Sequence, residues 1–118
     1  MKILIDAMNV IGSRPDGWWR DREGAMRRLV DDVRERASGP VTIVLDSGPD
    51  DLLGTVGNVT VTRAARRGRN AADDEIVGLV AAGDVVVTSD AELAARVRAL
   101  GARVEGAGTF RRRLESAP

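Results

Sequence analysis

The sequence predicts a three-layer α/β/α sandwich built on a mainly parallel sheet, and two observations lead to this fold class. Short runs of β-branched and aliphatic residues without a polar interruption, such as 3–5 and 85–87, are typical of strands buried on both faces of a parallel sheet. These runs alternate along the chain with amphipathic segments, which indicates βαβ units with right-handed crossovers. With 118 residues the chain has the size of one domain, which we assign to 1–118.

The first half of the chain contains two predicted strands and one long helix. Residues 2–6 form the first strand, and the Gly, Pro and Asp residues of 11–17 indicate a loop. From about residue 20 to 37, apolar side chains recur at spacings of three and four, which predicts an amphipathic helix. A Ser-Gly-Pro sequence ends this helix, and 41–45 is a second buried strand that closes on Asp46.

A third strand and a second helix follow. The alternation of 59–62 suggests a short strand at the edge of the sheet, and 63–70 is a basic loop. Asn70 is the predicted N-cap of a helix over 71–82, whose first turn is acidic, as the helix dipole favours.

The last third of the chain begins with the Val-rich strand already noted. Ser89 and Glu92 have the spacing of a capping box for a helix over 90–100. A last short strand begins at 103, and the chain closes with a short basic segment over 109–114.

Composition excludes several classes of function. The chain has neither cysteine nor histidine, which removes disulfides, thiolate nucleophiles and zinc-thiolate sites, so any metal must be held by oxygen. Its apolar runs are too short to cross a bilayer, and it starts directly into a strand without a signal peptide, so we expect a cytoplasmic protein with no membrane partner. The 18 basic and 18 acidic residues balance, yet the basic residues cluster locally, which is compatible with a polyanionic partner.

Three carboxylates are candidates for one shared site. Asp6 and Asp90 follow buried strands, and in an open parallel sheet the ligand crevice lies outside the carboxyl ends of the strands. Asp73 shares a helix face with the apolar residue Ile76 and should point toward the same edge, whereas Asp74 is rotated by about a hundred degrees. Like charges at a few ångströms repel by several kcal/mol at a dielectric of ~20, so such a cluster must protonate or bind a cation. Oxygen-only ligands favour Mg²⁺ or Mn²⁺, and hydrolysis of a phosphodiester is the chemistry that fits.

Each of these acids also has an ordinary structural explanation. Asp6 could end its strand in a turn, Asp73 could interact with the helix dipole, and Asp90 could extend a helix cap. Asp46 is better explained by a turn or a supporting role than by metal ligation. Asn9 either holds Asp6 or a ligand water, or caps a helical turn. The combination is more informative than any one residue, because independent structural roles would not place all three acids at one sheet edge.

Basic and aromatic residues offer contacts for a nucleic acid. The basic loop contains Arg66, Arg67 and Arg69. These side chains could bind phosphates beside the metal, and the arginines of 111–113 could extend the basic surface. A solvated loop and tail without a ligand is an equal alternative. Trp18 or Trp19 could stack on an unpaired base, but packing over the next helix is at least as good an explanation, and neither residue is assigned to the site.

Three motifs together resemble the NYN domains of the YacP-like group, within the PIN-like nuclease superfamily. They are Ile-Asp-Ala-Met-Asn-Val-Ile-Gly at 5–12, Arg-Asn-Ala-Ala-Asp-Asp-Glu-Ile at 69–76 and Val-Val-Thr-Ser-Asp at 86–90. The resemblance spans nearly the whole chain. It implies a PIN-like sheet in the order 3-2-1-4-5 and a Mg²⁺- or Mn²⁺-dependent ribonuclease site.

The resemblance also assigns residues to that site. Its acidic positions fall on Asp6 with Asn9, on Asp73 and on Asp90, and it places Thr88 and Ser89 beside the pocket; we group Asn9, Thr88 and Ser89 with the loop arginines as substrate-binding candidates. The chain departs from the family pattern in two ways: it is shorter between Asp46 and Arg63, and 106–109 contains no fourth acid. The second departure leaves open whether one or two ions bind.

Our hypothesis from the sequence is an endoribonuclease that binds RNA, and one rival remains. The rival is an RNA-binding module of the same fold that keeps the acidic pocket and cleaves nothing. A phosphoacceptor receiver shares the layout but needs a lysine near the pocket, and Lys2 lies at the opposite end of the first strand. The sequence leaves open whether the RNA is ribosome-associated and whether the chain forms a homodimer.

Overall fold

A six-stranded sheet forms the middle layer of the computed structural model, which describes residues 1–65, 68 and 70–116. The strands run in the order β3-β4-β2-β1-β5-β6, and every neighbouring pair is parallel except β3 and β4. Their bounds are Ile3–Asp6 (β1), Val41–Leu45 (β2), Gly54–Val56 (β3), Val59–Arg63 (β4), Val85–Val87 (β5) and Arg103–Glu105 (β6). When β3 is set aside, the predicted order 3-2-1-4-5 is confirmed.

In the part of the chain that the structure describes, five α-helices cover the two faces of this sheet, which confirms the predicted three-layer α/β fold. Their bounds are Ala7–Gly12 (α1), Arg22–Arg36 (α2), Ala71–Leu79 (α3), Ala91–Ala99 (α4) and Ala107–Glu115 (α5). Within the described ranges, none of these helices combines the length and apolar character needed to span a bilayer.

Each face of the sheet has its own hydrophobic core. Ile5 of β1 packs on the side of α1, α2 and α5 with Val30 and Phe110, whereas its neighbour Leu4 packs on the other side with Ile76 of α3 and Leu93 of α4. Successive side chains of a strand point to opposite faces, so both faces of β1 must be apolar. This double burial explains why the strands lack the alternation of a half-exposed sheet.

The parallel strands end together at one edge of the sheet. β1 and β2 pair in register, so that Asp6, the last residue of β1, lies beside Val44. The next strand on the other side, β5, pairs Val87 with Ile5. The loops after β1, β2, β4, β5 and β6 therefore all leave from this carboxyl edge.

The start of the loop predicted over 11–17 is wrong, because residues 11 and 12 belong to a helix. Residues Ala7–Gly12 form α1, and they bury Ala7, Val10 and Ile11. A helix of 6 residues is too short for its apolar spacing to be recognised as periodic. This helix starts directly after Asp6, which occupies its N-cap position without a side-chain cap hydrogen bond.

The predicted edge position of the third strand is wrong. Gly54–Val56 forms an antiparallel partner, so β4 lies inside the sheet and β3 takes the edge. The hydroxyls of Thr55 and Thr60 lie 2.9 Å apart across this hairpin. All three residues of β3 are exposed, and the absence of a buried face explains why no hydrophobic pattern marks the strand.

The helix ends and caps also differ from the prediction. The cap of α4 is Asp90, whose Oδ1 accepts hydrogen bonds from the backbone N–H groups of Glu92 and Leu93, so Ser89 does not form a capping box. Asn70 occupies the N-cap position of α3 but makes no side-chain cap hydrogen bond, and α3 ends at Leu79 rather than at 82. The basic segment over 109–114 lies in helix α5, which buries Phe110.

At the opposite edge of the sheet, Asp84 ties two chain segments together. Asp84 is buried, and it accepts backbone hydrogen bonds from Lys2 at 3.0 Å and Ala81 at 2.9 Å. The Lys2 ammonium lies 3.1 Å from the Asp84 carboxylate. Burial acts to raise the pKa of Asp84, but these donors outweigh it and hold the pKa below its ordinary value.

We expect Asp84→Asn to lose about 1.5–3 kcal/mol of unfolding free energy at neutral pH, because hydrogen bonds to a charged acceptor contribute about that much. Since the folded-state pKa of Asp84 is lowered, the wild type should lose this contribution as the pH falls through and below 4, and the two proteins should then converge. Urea denaturation at several pH values measures this. The exposed acid Asp31 on α2 provides a control, and an equal loss in Asp31→Asn would contradict the assignment.

Candidate active site

The carboxyl edge of the sheet collects acidic side chains from four different segments. Asp6 ends β1, Asp46 follows β2, and Asp90 lies three residues after β5 at the start of α4. Helix α3 starts after the loop that leaves β4 at this same edge, which places Asp73 of its first turn nearby. Residues far apart in the sequence therefore share one region.

Asp6 is the most buried of these acids, with 7% of its surface exposed. Burial is the main reason that its pKa rises from 3.8 to about 6. The charges of Asp73, Asp90 and Asp46 raise the pKa further, while a hydrogen bond from Thr88 lowers it. The charges of the other three carboxylates thus act on Asp6.

Thr88 links two of the acids directly. Its hydroxyl donates to Asp6 Oδ2 at 3.0 Å, and Thr88 Oγ1 also accepts a hydrogen bond from the backbone N–H of Asp90 at 3.1 Å. Thr88 is 1% exposed, so no water competes for this bond. Because Asp90 Oδ1 already caps α4, the described hydrogen bonds leave Asp6 Oδ1 and Asp90 Oδ2 for other partners.

Asp73 and Asp74 have different environments in the structure. Asp73 is half-buried, and burial is the first cause of its raised pKa, followed by the charge of Asp90. Arg96 opposes this rise. Asp74 is exposed and forms an ion pair with Arg96 on α4 at 3.0 Å. Asp73 thus lies on the same side of α3 as the acids at the sheet edge, and its neighbour faces solvent.

Asn9 and Ser89 brace the loops around the acids. The backbone N–H of Ser89 donates to Asn9 Oδ1 at 2.7 Å, which joins α1 to the loop after β5. The Ser89 hydroxyl accepts the backbone N–H of Ala107 at 2.9 Å, which joins that loop to α5. Among the described hydrogen bonds none connects Asn9 to Asp6, so the support for Asp6 comes from Thr88 instead.

A groove opens beside Asp46 at the ends of β2 and β4. Its volume is about 940 Å³, and its lining residues include Asp46, Leu53, Thr62, Arg63 and Gly68. Asp46 forms an ion pair with Arg22 of α2 at 3.5 Å, and Arg63 binds Asp50 at 2.8 Å. The groove continues from the acidic region toward the basic loop.

The structure describes only some of the predicted phosphate-binding arginines. Arg66, Arg67 and Arg69 lie outside the residues that the structure describes. The segment 111–113 is helical, and two of its arginines are engaged within the chain: Arg111 bonds to the Ser13 hydroxyl at 3.0 Å, and Arg113 pairs with Glu105 at 2.8 Å. The expected basic track at the end of the chain is therefore mostly committed to intramolecular contacts.

The donor chemistry of the site suits a hard divalent ion. Its side chains offer carboxylate, amide and hydroxyl oxygens, and the whole sequence has no histidine or cysteine to attract a softer metal. In residues 1–65, 68 and 70–116, no three acidic side chains are close enough to form a ready-made metal cage. Mg²⁺ does not need one, because it keeps several waters and is typically held by one or two carboxylates together with substrate phosphate.

Sequence reasoning missed one contributor to this region and gave another a different role. Thr88 is predicted beside the pocket as a substrate-binding candidate, whereas in the structure its hydroxyl holds Asp6. Arg22 carried no signal, because one more arginine on a charged helix face is indistinguishable from its neighbours until Asp46 is seen beside it.

Comparison with known proteins adds a family and a fold. A model of a family described as "Uncharacterized BCR, YaiI/YqxD family" (DUF188) matches residues 24–108. The structure is similar to that of a mutant of Rae1 (YacP) from Bacillus subtilis, with a TM-score of 0.74 and 23% sequence identity over 98% of this chain and 75% of that one. A search of curated proteins found no significant match. The PIN-like fold is confirmed, while the finer assignment to NYN domains stays a prediction.

We expect the metal-free protein to lose stability as the pH rises from about 4 through 6. The folded-state pKa of Asp6 is raised, so the folded protein binds a proton more tightly than the unfolded chain, and ionisation above pH 6 costs the fold this difference. A rise from 3.8 to about 6 corresponds to about 3 kcal/mol.

Asp6→Asn removes the titrating group and should be the more stable protein at pH 8 by up to about that amount, with no advantage at pH 4. Urea denaturation in the presence of a chelator measures both proteins. A variant that is less stable than the wild type at pH 8 would show that the carboxylate is not under electrostatic strain.

Proposed function

This chain belongs to the YaiI/YqxD family, and from that premise and the geometry of the site we propose that it is a metal-dependent endoribonuclease. Its substrate is RNA, and the phosphodiester bond is hydrolysed at Asp6, Asp73 and Asp90. The resemblance of the sequence to YacP-like proteins and the structural similarity to Rae1 (YacP) support this choice among the reactions that an all-oxygen site can perform.

The observation that carries the proposal is a contrast among the acids of the described residues. Several acids outside the site are paired: Asp84 with Lys2, Asp74 with Arg96 and Asp50 with Arg63. None of the ion pairs within 1–65, 68 and 70–116 includes Asp6, Asp73 or Asp90. Burying a carboxylate without a cation is costly, so a fold retains such a group where something else supplies the positive charge.

A divalent ion supplies that charge in the proposed enzyme. Because the described residues do not form a ready-made three-acid cage, Asp6, Asp73 and Asp90 would share Mg²⁺ or Mn²⁺ partly through its bound waters. Asp6 Oδ1 and Asp90 Oδ2 are the oxygens that the described hydrogen bonds leave for it. When bound, the ion supplies a more acidic water and offsets the negative charge that develops on the phosphate.

The residues of the chain itself fix the site before substrate arrives. The Thr88 hydroxyl holds one oxygen of Asp6, and the helix cap holds one oxygen of Asp90, so neither carboxylate needs to reorganise. The bonds of Ser89 to Asn9 and Ala107 keep the loop after β5 in place against α1 and α5. Preorganised groups of this kind lower the cost of reaching the transition state.

The groove beside Asp46 gives the RNA a path. It runs from the acidic region past Thr62 and Ala65 to Gly68, in the loop that also contains Arg66, Arg67 and Arg69. In the proposed complex these arginines bind phosphates while the acids face the scissile bond, which separates binding from chemistry along one groove.

We expect Asp73→Asn to reduce Mn²⁺-dependent cleavage of single-stranded RNA by about a hundredfold or more, because loss of a metal ligand should cost at least as much as loss of a residue that supports one. Asp74→Asn is the matched control: it lies one position along the same helix, faces solvent and pairs with Arg96, so its activity should stay within about twofold of the wild type. Cleavage of a labelled oligonucleotide with Mn²⁺ and with chelator measures both.

Equal activity of the two variants would reject Asp73 as a site residue. Wild-type protein that binds RNA with and without Mn²⁺ but gives no product would identify the alternative, a catalytically silent RNA-binding module. An anomalous Mn²⁺ signal beside Asp6 in a soaked crystal would identify the ligands directly.

Thr88→Val tests whether orientation of Asp6 matters. The substitution keeps the shape of the side chain and removes the hydroxyl that holds Asp6 Oδ2. We expect a loss of about 10- to 100-fold in Mn²⁺ affinity or activity, as is typical for residues that orient a metal ligand. Titration with Mn²⁺ measures the affinity separately from the rate, and Thr88→Ser, which restores the hydroxyl, should recover most of it.

A further inference from the structure

A tryptophan pair lies at the same edge of the sheet as the acidic residues. Trp18 and Trp19 form a short 3-10 turn, Trp18–Arg20, immediately before α2. Trp18 is half-buried and packs against the core beneath α1 and α2, and a Cβ on Gly12 at the end of α1 would lie 3.8 Å from its ring. Trp18 is thus a packing residue, as one of the two sequence alternatives stated.

Trp19 has a different environment. It is 59% exposed, and its ring centroid lies 6.0 Å from that of Trp18 at an interplanar angle of 87°. The other exposed large apolar side chains among the described residues are not aromatic; they are Met1, Val56, Leu79 and Leu100. The half-buried ring of Trp18, packed edge to face, supports the Trp19 ring while leaving much of it open to solvent.

Two guanidinium groups flank the pair. The Arg20 guanidinium lies 5.9 Å from the centre of the Trp19 ring, and that of Arg22 lies 5.9 Å from the centre of the Trp18 ring. An exposed aromatic ring beside arginine matches a nucleotide, because a base stacks on the ring and its phosphate accepts a hydrogen bond from the guanidinium.

The tryptophan turn is connected to the candidate active site through one ion pair. Arg22, which lies over Trp18, binds Asp46 at 3.5 Å, and the charge of Asp46 acts on Asp6. Asp46 also lines the groove that ends at the basic loop. The ion pair between Arg22 and Asp46 therefore places the tryptophan turn next to the end of the groove at Asp46.

We propose that Trp19 is a stacking platform for an unpaired base of single-stranded RNA, with Arg20 contacting an adjacent phosphate. This inference rests on the proposed function, which it deepens by naming the substrate as single-stranded in the segment beside Asp46. Stacking needs an unpaired base, so duplex RNA should not use the platform.

The test measures binding separately from cleavage. Short single-stranded oligouridylate is titrated into full-length protein in chelator, with the Asp73→Asn variant as a second non-cleaving background, and dissociation constants come from the anisotropy of a labelled probe. We expect Trp19→Ala to weaken binding by about 5- to 150-fold, the range of one base–aromatic stack. Trp19→Phe should retain most of the affinity, because it keeps an aromatic face. Leu100 is another exposed apolar side chain, 47% exposed, at the C-cap of α4, and Leu100→Ala should bind as the wild type does.

A probe without bases distinguishes stacking from lost charge or lost packing. An abasic oligonucleotide of the same length keeps the phosphates, so the wild type should bind it about as weakly as Trp19→Ala binds oligouridylate, and the substitution should then make no further difference. Equal effects of Trp19→Ala on both probes would overturn the inference, as would unchanged affinity for oligouridylate. In Mn²⁺, Trp19→Ala should raise KM and leave kcat unchanged.

The two proposals can fail independently. Cleavage by the wild type with no effect of Trp19→Ala on affinity or KM overturns the stacking platform and leaves the ribonuclease standing. Base-dependent binding that requires Trp19, with no cleavage in any metal, supports the platform and rejects the ribonuclease.

Discussion

The rest of the site depends on one constraint: the Asp6 carboxylate is buried, and among the described residues its side-chain hydrogen-bond donor is the Thr88 hydroxyl. Asp6 ends the central strand β1, so it lies between the cores of both faces and is only 7% exposed. Thr88 satisfies one of its oxygens and at the same time accepts the backbone N–H of Asp90. One side chain therefore contacts both acids, and no ion pair within the described residues includes either of them.

The order of the strands converts this local arrangement into a site. Because β1 lies between β2 and β5, the residues that follow these three strands meet at one edge, and Asp6, Asp46 and Asp90 affect the same region. Asp73 reaches it from α3, which starts at the edge where β4 ends. Asp84, at the opposite edge of the sheet, is also buried but behaves differently. The Lys2 ammonium and two backbone N–H groups stabilise its negative charge, so its pKa is lowered instead of raised.

The errors of sequence reasoning share a physical cause. Ser89 and Glu92 have the spacing of a capping box, but the Asp90 carboxylate caps the helix instead. The Ser89 hydroxyl therefore accepts the backbone N–H of Ala107, in a helix distant in sequence. The strand Gly54–Val56 is held by pairing with β4 and has no buried face of its own. In both cases a contact between segments decided the outcome, and such contacts leave no periodicity in the sequence.

The sequence by itself determined the layered α/β architecture, the parallel strands and the positions of three acids at helix starts or strand ends, because burial on both faces of a strand and on one face of a helix imposes a hydrophobic pattern that can be recognised locally. Only the tertiary structure decided which polar groups meet. Thr88 rather than Asn9 holds Asp6, Arg22 pairs with Asp46, and one tryptophan packs while its neighbour stays exposed. Hydrogen bonds and ion pairs depend on distances between segments that the chain brings together only when it folds.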